Sequence, residues 1–166
     1  MEEQNGLVKQ EEIQRLLSRA LFYLRFRMRT EKEMHIYLSE KAVQYGYTNL
    51  IVERVVRDLI EMGYINDQKF VESYVLSHQN VKQKGQFLLR NELLKKGVNE
   101  DIVDAYFEKN PVNEYQLATQ ALEKRWNRYV LLDRPKRFQK AHDFLRRKGF
   151  PYSVVKKTIE EMEEKR

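Results

Sequence analysis

Apolar residues recur at spacings of three and four along almost the whole chain, the period of one face of an α-helix. Leu16, Leu17, Ala20, Leu21 and Leu24 form one stripe, and Ile51, Val52, Val55, Val56, Leu59 and Ile60 form another. The run Leu24-Arg25-Phe26-Arg27-Met28-Arg29 alternates as a strand would, but no partner of similar pattern lies nearby. The first helix is therefore predicted from Glu11 to Met28. Thr30-Glu31-Lys32-Glu33 is a capping box, so a second helix begins there and ends near Tyr45-Gly46. A third follows Asn49 and stops at Gly63. Asn66-Asp67 caps a fourth, which carries Phe70, Val71, Tyr74 and Val75. Gln86 to Lys95 and Asp101 to Phe107 form the next pair. Asn113 to Gln116 repeats the capping pattern ahead of Leu117, Ala121, Leu122 and Trp126, with Pro111 as separator. A last pair surrounds Gly149, with Pro151 in the first turn of the final helix. Nine helices and no strand are expected.

The pattern also repeats. Lys96-Gly97-Val98 recurs as Lys148-Gly149-Phe150, with a looser copy at Gly46-Tyr47, and the three glycines stand 51 and 52 residues apart. Each has an apolar residue four before it (Ala42, Leu93, Leu145), one after (Tyr47, Val98, Phe150) and five after (Ile51, Ile102, Val154). That spacing suits two helices joined by a left-handed glycine turn. A unit with one apolar face must stack on its neighbours to bury it. The expected architecture is all-α, three tandem three-helix repeats forming an elongated, curved array. Repeat 1 covers 11–62, repeat 2 covers 63–110, and repeat 3 covers 111–166, after a frayed N-terminus at 1–10.

Composition narrows the function. The 166 residues are 42% hydrophobic and 34% charged, with no cysteine, which excludes thiolate metal sites and cysteine nucleophiles and suits a reducing compartment. No apolar run reaches the roughly 20 residues of a membrane span, and the first residues resemble no secretion signal, so a cytoplasmic protein is expected. The net charge of +6 is unevenly placed: residues 82–97 carry +4, 98–115 carry −4 and 116–149 carry +7. A polyanion would meet the basic parts.

Candidate chemistry is sparse. His35, His78 and His142 fall in different predicted repeats without metal-ligand spacing, and each reads as an ordinary surface or packing histidine. There is no phosphate-cradling GxxxxGK[ST] loop, no GxGxxG and no GxSxG elbow. Glu160, Glu161, Glu163 and Glu164 stand among Lys156, Lys157 and Lys165 at ion-pair spacing on a solvent-facing helix. Asp67 reads as a cap. Most aromatic residues, among them Phe22, Tyr23, Phe26, Phe70, Tyr74, Phe87, Tyr106 and Phe107, have helical spacing and read as core. Trp126, flanked by Lys124, Arg125 and Arg128, is the best candidate for stacking on a base or partner. A DNA-reading helix-turn-helix is disfavoured, because the helix after Gly97 opens with the acidic Asn99-Glu100-Asp101.

Gly63-Tyr64-Ile65-Asn66-Asp67 with Phe70 and Tyr74-Val75, then Lys84-Gly85, Glu92-Leu93 and Lys96-Gly97-Val98, resembles the RecX family of bacterial regulators. Ala20-Leu21, Leu24, Arg29-Thr30 and Glu33-Met34 at the start, and Phe144-Leu145, Lys148-Gly149-Phe150 and Val154-Val155 at the end, extend the resemblance from about Leu16 to Ile159. Thr30, Met34 and Val71 stand where the family more often has serine, leucine and alanine. The resemblance implies a monomeric all-helical regulator, without catalytic residues or cofactor, that binds the RecA recombinase filament on single-stranded DNA and inhibits its ATPase, strand exchange and filament extension. The alternative is a nonspecific DNA-binding helical protein that competes for DNA. Independently of the family motif, the basic residues Lys82, Lys84, Arg90, Lys95 and Lys96, and Arg125, Arg128, Arg134, Lys136, Arg137, Arg146 and Arg147, are assigned with Trp126 to filament or DNA contact.

Overall fold

The computed structural model describes residues 2–165, with side chains from Lys9 onward. Among them are nine α-helices and no strand: α1 (Glu2–Leu24), α2 (Glu31–Tyr45), α3 (Asn49–Glu61), α4 (Asp67–Asn80), α5 (Gln86–Lys95), α6 (Glu100–Lys109), α7 (Glu114–Tyr129), α8 (Arg134–Arg147) and α9 (Tyr152–Glu164). The segment 1–10 carries helical backbone from Glu2, and its side chains before Lys9 lie outside the described residues. The alternating run after Leu24 is a turn rather than the helix expected to Met28. Phe26 is 71% exposed there, so no core contact holds another helical turn.

Local chemistry sets the helix ends. Thr30 Oγ1 accepts from Glu33 N–H at 3.1 Å and Glu33 returns a carboxylate oxygen to Thr30 N–H, completing the capping box at α2. Gly46 ends α2 in the left-handed conformation. Asn66 Oδ1 caps α4 through Lys69 N–H, and Asn113 Oδ1 caps α7 through Gln116 N–H. Pro151 stands one residue before α9, at its N-cap.

The described residues form two compact units. Unit 1 runs to Phe70 and adds Lys96–Ile102; unit 2 comprises Val71–Lys95 and Val103–Arg166. Unit 1 is built on α1, α2 and α3, whose Leu16, Met34, Leu38, Val52, Val55 and Leu59 are fully buried. In unit 2, α7, α8 and α9 bring Leu122, Leu145, Val155 and Ile159 together in the same way. Each such burial stabilises by about 1.5–3 kcal/mol relative to exposure.

The glycine period is also a burial period. Leu38, Leu89 and Ala141, eight residues before the three glycines, are fully buried, as are Val52, Val103 and Val155 six after. The position five after, singled out by the sequence pattern, is buried at Ile51 but only partly so at Ile102 and Val154. Ile60 is 41% exposed and Phe87 69%, and Phe22 is also exposed, so these expected core residues lie outside it. All three fall on the solvent side of helices whose opposite side is buried.

Two Lys-Gly turns serve as joints. In unit 1, Thr30 Oγ1 donates to the Lys96 carbonyl at 2.7 Å, and a β-carbon on Gly97 would collide with Lys32. In unit 2, Gly85 N–H donates to the Lys148 carbonyl at 2.8 Å, and a β-carbon on Gly149 would collide with Leu88. Each joint is backed by a carboxylate from a later helix. Asp67 Oδ1 accepts Glu31 N–H at 2.9 Å, and Glu114 Oε1 accepts Gln86 N–H at 2.6 Å. Asp67 therefore caps α2 rather than its own helix.

Candidate anion-binding groove

The second joint forms one wall of a groove. After α4 the chain makes a tight bend in which buried Gln83 takes a φ of 43°, a left-handed conformation that costs roughly 1–2 kcal/mol outside glycine. Its side chain offsets this, since Nε2 donates to the Asn80 carbonyl at 2.8 Å and Oε1 accepts from Lys124 Nζ at 3.0 Å. The bend thereby presents Val81, Lys82 and Lys84 toward α7 and α8. α7 contributes Ala121, Lys124, Arg125 and Arg128. α8 and its C-cap contribute Phe144, Arg147 and Lys148, and Leu88 of α5 completes the lining.

The space holds about 560 Å³ and is lined by seven basic side chains and no carboxylate. Its apolar lining is Val81, Leu88, Ala121 and Phe144, and the Phe144 ring lies 4.6 Å from the Arg125 guanidinium and 5.3 Å from Lys148 Nζ. Lys148 Nζ also donates to the Lys82 carbonyl. Burial, then the charges of Arg125, Lys124 and Lys84, hold the Lys148 ammonium below the ordinary lysine value.

Among the described residues, Lys84 is the one groove cation in an ion pair, with Glu92 Oε1 at 2.5 Å; Tyr74 OH donates to the other carboxylate oxygen at 2.9 Å. Burial raises the Glu92 carboxyl, but the hydrogen bonds from Lys84 and Tyr74 and the Lys84 charge outweigh it, leaving it below the usual glutamate value. His78 lies against this cluster. Burial and the Lys82 and Lys84 charges lower it, so the neutral ring donates from Nδ1 to the Tyr74 carbonyl and accepts from Lys82 Nζ at 3.2 Å.

Of the residues assigned from sequence, Lys82, Lys84, Arg125, Arg128 and Arg147 meet here, and Lys124 and Lys148 join them. The sequence offered a signal for both: Lys124 precedes Arg128 by one helical turn, and Lys148 belongs to the repeated Lys-Gly phrase. The other assigned residues go elsewhere. Arg90 grips Asp104 with two nitrogens, Lys96 pairs with Glu33 at 3.0 Å in unit 1, and Lys136 pairs with Asp133 at 3.5 Å. Lys95 and Arg134 are exposed outside the groove, and exposed Arg146 donates to the Phe150 carbonyl.

Two assignments are corrected by burial. Trp126, 8% exposed, packs with Leu122, Ala141 and Phe144 in the core and offers no face for stacking. Arg137, 4% exposed, chelates Glu163 and donates to the Val130 and Leu132 carbonyls. Register explains it: Arg137, Ala141 and Leu145 fall four apart on the buried stripe of α8.

A larger concavity in unit 1, about 700 Å³, mixes Glu31 and Asp67 with Lys32 and His35 and so has no dominant sign. Among the described residues, no three His, Asp or Glu side chains are grouped to hold a metal ion, and no helix is long and apolar enough to cross a membrane.

Residues 66–106 match the model of the second three-helix domain of RecX, and residues 113–159 that of the third. The chain is 35% identical over 171 residues to Regulatory protein RecX of Bacillus cytotoxicus, an alignment covering 97% of this chain and 58% of that protein. It is 33% identical over 138 residues to Regulatory protein RecX of Streptococcus uberis, covering 82% and 51%. The chain thus spans little more than half the length of these curated relatives. The crystal structure of RecX from Lactobacillus salivarius superposes with a TM-score of 0.76 at 26% identity, covering 92% of this chain and 97% of that one. A second crystal structure, of regulatory protein RecX, gives 0.77 at 27% identity, covering 96% and 78%.

Proposed function

The chain belongs to the RecX family of regulatory proteins, and from that premise we propose that it binds the RecA recombinase filament on single-stranded DNA and inhibits it. The observation that carries this reading is the groove of unit 2, seven cations without a carboxylate in its lining. A filament of protein on DNA offers phosphates and acidic side chains to such a surface.

The effect is steric and electrostatic rather than catalytic. A chain held along the filament occupies surface that successive recombinase protomers need, blocks DNA entry and slows the coupled ATPase cycle and strand exchange. Several helical units engaging neighbouring protomers add weak contacts into a tight whole. At a filament end, the same contacts stop extension. The protein works in the cytoplasm with its partner, as a monomer and without a cofactor.

A second reading, favoured by the same groove, is competition for naked DNA. Affinity for preformed filament compared with affinity for free strand separates the two. The direct test is recombinase ATPase on single-stranded DNA, titrated with this chain below one per protomer. Inhibition at those ratios is expected. An unchanged rate up to stoichiometric amounts rules the reading out.

A further inference from the structure

Two of the three repeated glycine turns are covered by other parts of the chain: a β-carbon would collide with Lys32 at Gly97 and with Leu88 at Gly149. The third is bare. A β-carbon on Gly46 would meet nothing within 4 Å. The left-handed backbone there, φ 71°, folds the chain back, so that Tyr47 N–H donates to the Ala42 carbonyl at 2.8 Å and the Tyr45 and Tyr47 rings lie 5.5 Å apart. Beside these rings runs the solvent side of α1, turned away from buried Leu16 and Ala20. Its Gln14, Arg15, Ser18 and Arg19 and the two tyrosines line a cleft of about 400 Å³, wholly within unit 1.

The lining holds two cations, two aromatic rings and no carboxylate. Among the described residues, Arg15 and Arg19 form no ion pair and the two tyrosine hydroxyls no hydrogen bond. All four groups can donate to a carboxylate. Arg15 and Arg19 stand one helical turn apart, with β-carbons roughly 5–6 Å from each other. Alternate side chains of an extended peptide are spaced roughly 7 Å, so two acidic residues at such positions match the two guanidiniums. A nucleic-acid strand fits less well. Unit 1 holds 12 lysines and arginines against 13 aspartates and glutamates, so the whole positive excess of the chain belongs to unit 2. No long-range field draws a polyanion to unit 1, and two phosphate contacts release few counterions. The tyrosine rings are also tilted 43° to each other rather than set as parallel platforms for successive bases. A peptide needs neither feature, because an apolar side chain serves as its anchor.

We propose that this cleft docks an extended acidic segment of a partner protein, with two carboxylates on Arg15 and Arg19 and an apolar side chain, at the next alternate position, against Tyr45 and Tyr47. Charge complementarity selects the occupant. The segment gives the Gly46 turn the neighbour that Lys32 and Leu88 give the other two. This goes beyond the filament reading, and its test involves neither the recombinase nor the basic groove of unit 2.

The test is a nuclear magnetic resonance titration of the full chain with the end-blocked peptide Asp-Ser-Asp-Ser-Phe, following backbone amides. Shifts are expected at 14–19 and 45–47. The peptides Asn-Ser-Asn-Ser-Phe and Asp-Ser-Asp-Ser-Ala are expected to bind at least tenfold and at least threefold more weakly. The double variant Arg15→Ala, Arg19→Ala should bind the first peptide at least tenfold more weakly, while Arg54→Ala, Arg57→Ala, which removes equal charge from exposed sites of α3, stays near wild type. The peptide comparison decides the matter even where a variant fails to fold. Four results overturn the proposal: no shift up to millimolar peptide, equal affinity for the three peptides, equal losses in the two variants, or an oligothymidylate that shifts the same amides more strongly than the peptide. Self-association of the wild type that disappears in Arg15→Ala, Arg19→Ala overturns it too, since a second copy is then the occupant.

Discussion

Gly149 lies against Leu88 so closely that a β-carbon on the glycine would come within 2.4 Å of Leu88 Cβ. Its φ is 88°, and the Lys148 carbonyl beside it accepts Gly85 N–H. The repeated Lys-Gly phrase thus marks a docking point as well as a helix end. Gly149→Ala is expected to cost roughly 1–2 kcal/mol for the left-handed backbone and a further 1–3 kcal/mol for the collision. Gly46→Ala, at φ 71° with nothing within 4 Å, should incur only the first cost. Urea midpoints of the two variants check this, and equal losses would remove the docking role.

Asp67 supplies the second prediction. Burial raises its carboxyl above the ordinary aspartate value, and the charges of Glu31 and Glu33 add to this, while the hydrogen bond from Glu31 N–H opposes both. A group whose pKa is raised on folding contributes stability at pH below its unfolded pKa and loses it as pH rises through its folded pKa. Asp67→Asn keeps an oxygen for the cap and does not titrate. The wild type should therefore gain stability relative to Asp67→Asn between pH 7 and pH 3. Asp67→Ala should lose about 1 kcal/mol at pH 7 with the cap. Glu92, whose value is lowered, lies outside the Asp67 cluster, destabilises both proteins alike in acid and cancels from the comparison.

Arg137 is a structural residue. Replacing it leaves Glu163 and the Val130 and Leu132 carbonyls without its nitrogens. Arg137→Glu should unfold unit 2 or lower its melting temperature sharply, whereas Arg146→Glu and Arg147→Glu, both exposed, should melt near wild type. Circular dichroism melts distinguish them. A charge-reversal test of the basic surface must therefore leave position 137 alone.

The helices were legible because their signals are local. Thr30 with Glu33, the left-handed Gly46 and the three-and-four spacing of Val52, Val55 and Leu59 act within one or two turns. The groove was not, because Lys82 and Arg147 are 65 residues apart in sequence and become neighbours only when the Gly85 joint closes on Lys148. Charge counting found basic stretches without distinguishing Arg125, which faces the groove, from Arg137, which faces the core. The burial period could have done so, since position 137 extends the stripe of Ala141 and Leu145. Trp126 is hidden from sequence reading for a similar reason: its neighbours Lys124, Arg125 and Arg128 are exposed while its ring packs in the core.

Ligand linkage gives a further prediction. If a strand binds the folded groove and not the unfolded chain, a short oligothymidylate at 100 times its dissociation constant stabilises the fold by about 2.7 kcal/mol. Thermal melts with and without oligonucleotide at one fixed concentration should show a rise for wild type and, since tenfold weaker binding leaves about 1.4 kcal/mol, a rise no more than about half as large for the Arg125→Ala, Arg128→Ala, Arg147→Ala variant. A rise of equal size in both would place the ligand elsewhere.

We propose that this chain restrains the recombinase through the basic groove of unit 2. The most direct test is the concentration giving half-inhibition of recombinase ATPase on single-stranded DNA, measured for wild type and for the groove triple variant at 100 mM salt. Wild type is expected to inhibit at substoichiometric ratios, with at least a tenfold higher half-inhibitory concentration for the variant. Equal potency of the two proteins, or no inhibition by either, contradicts it.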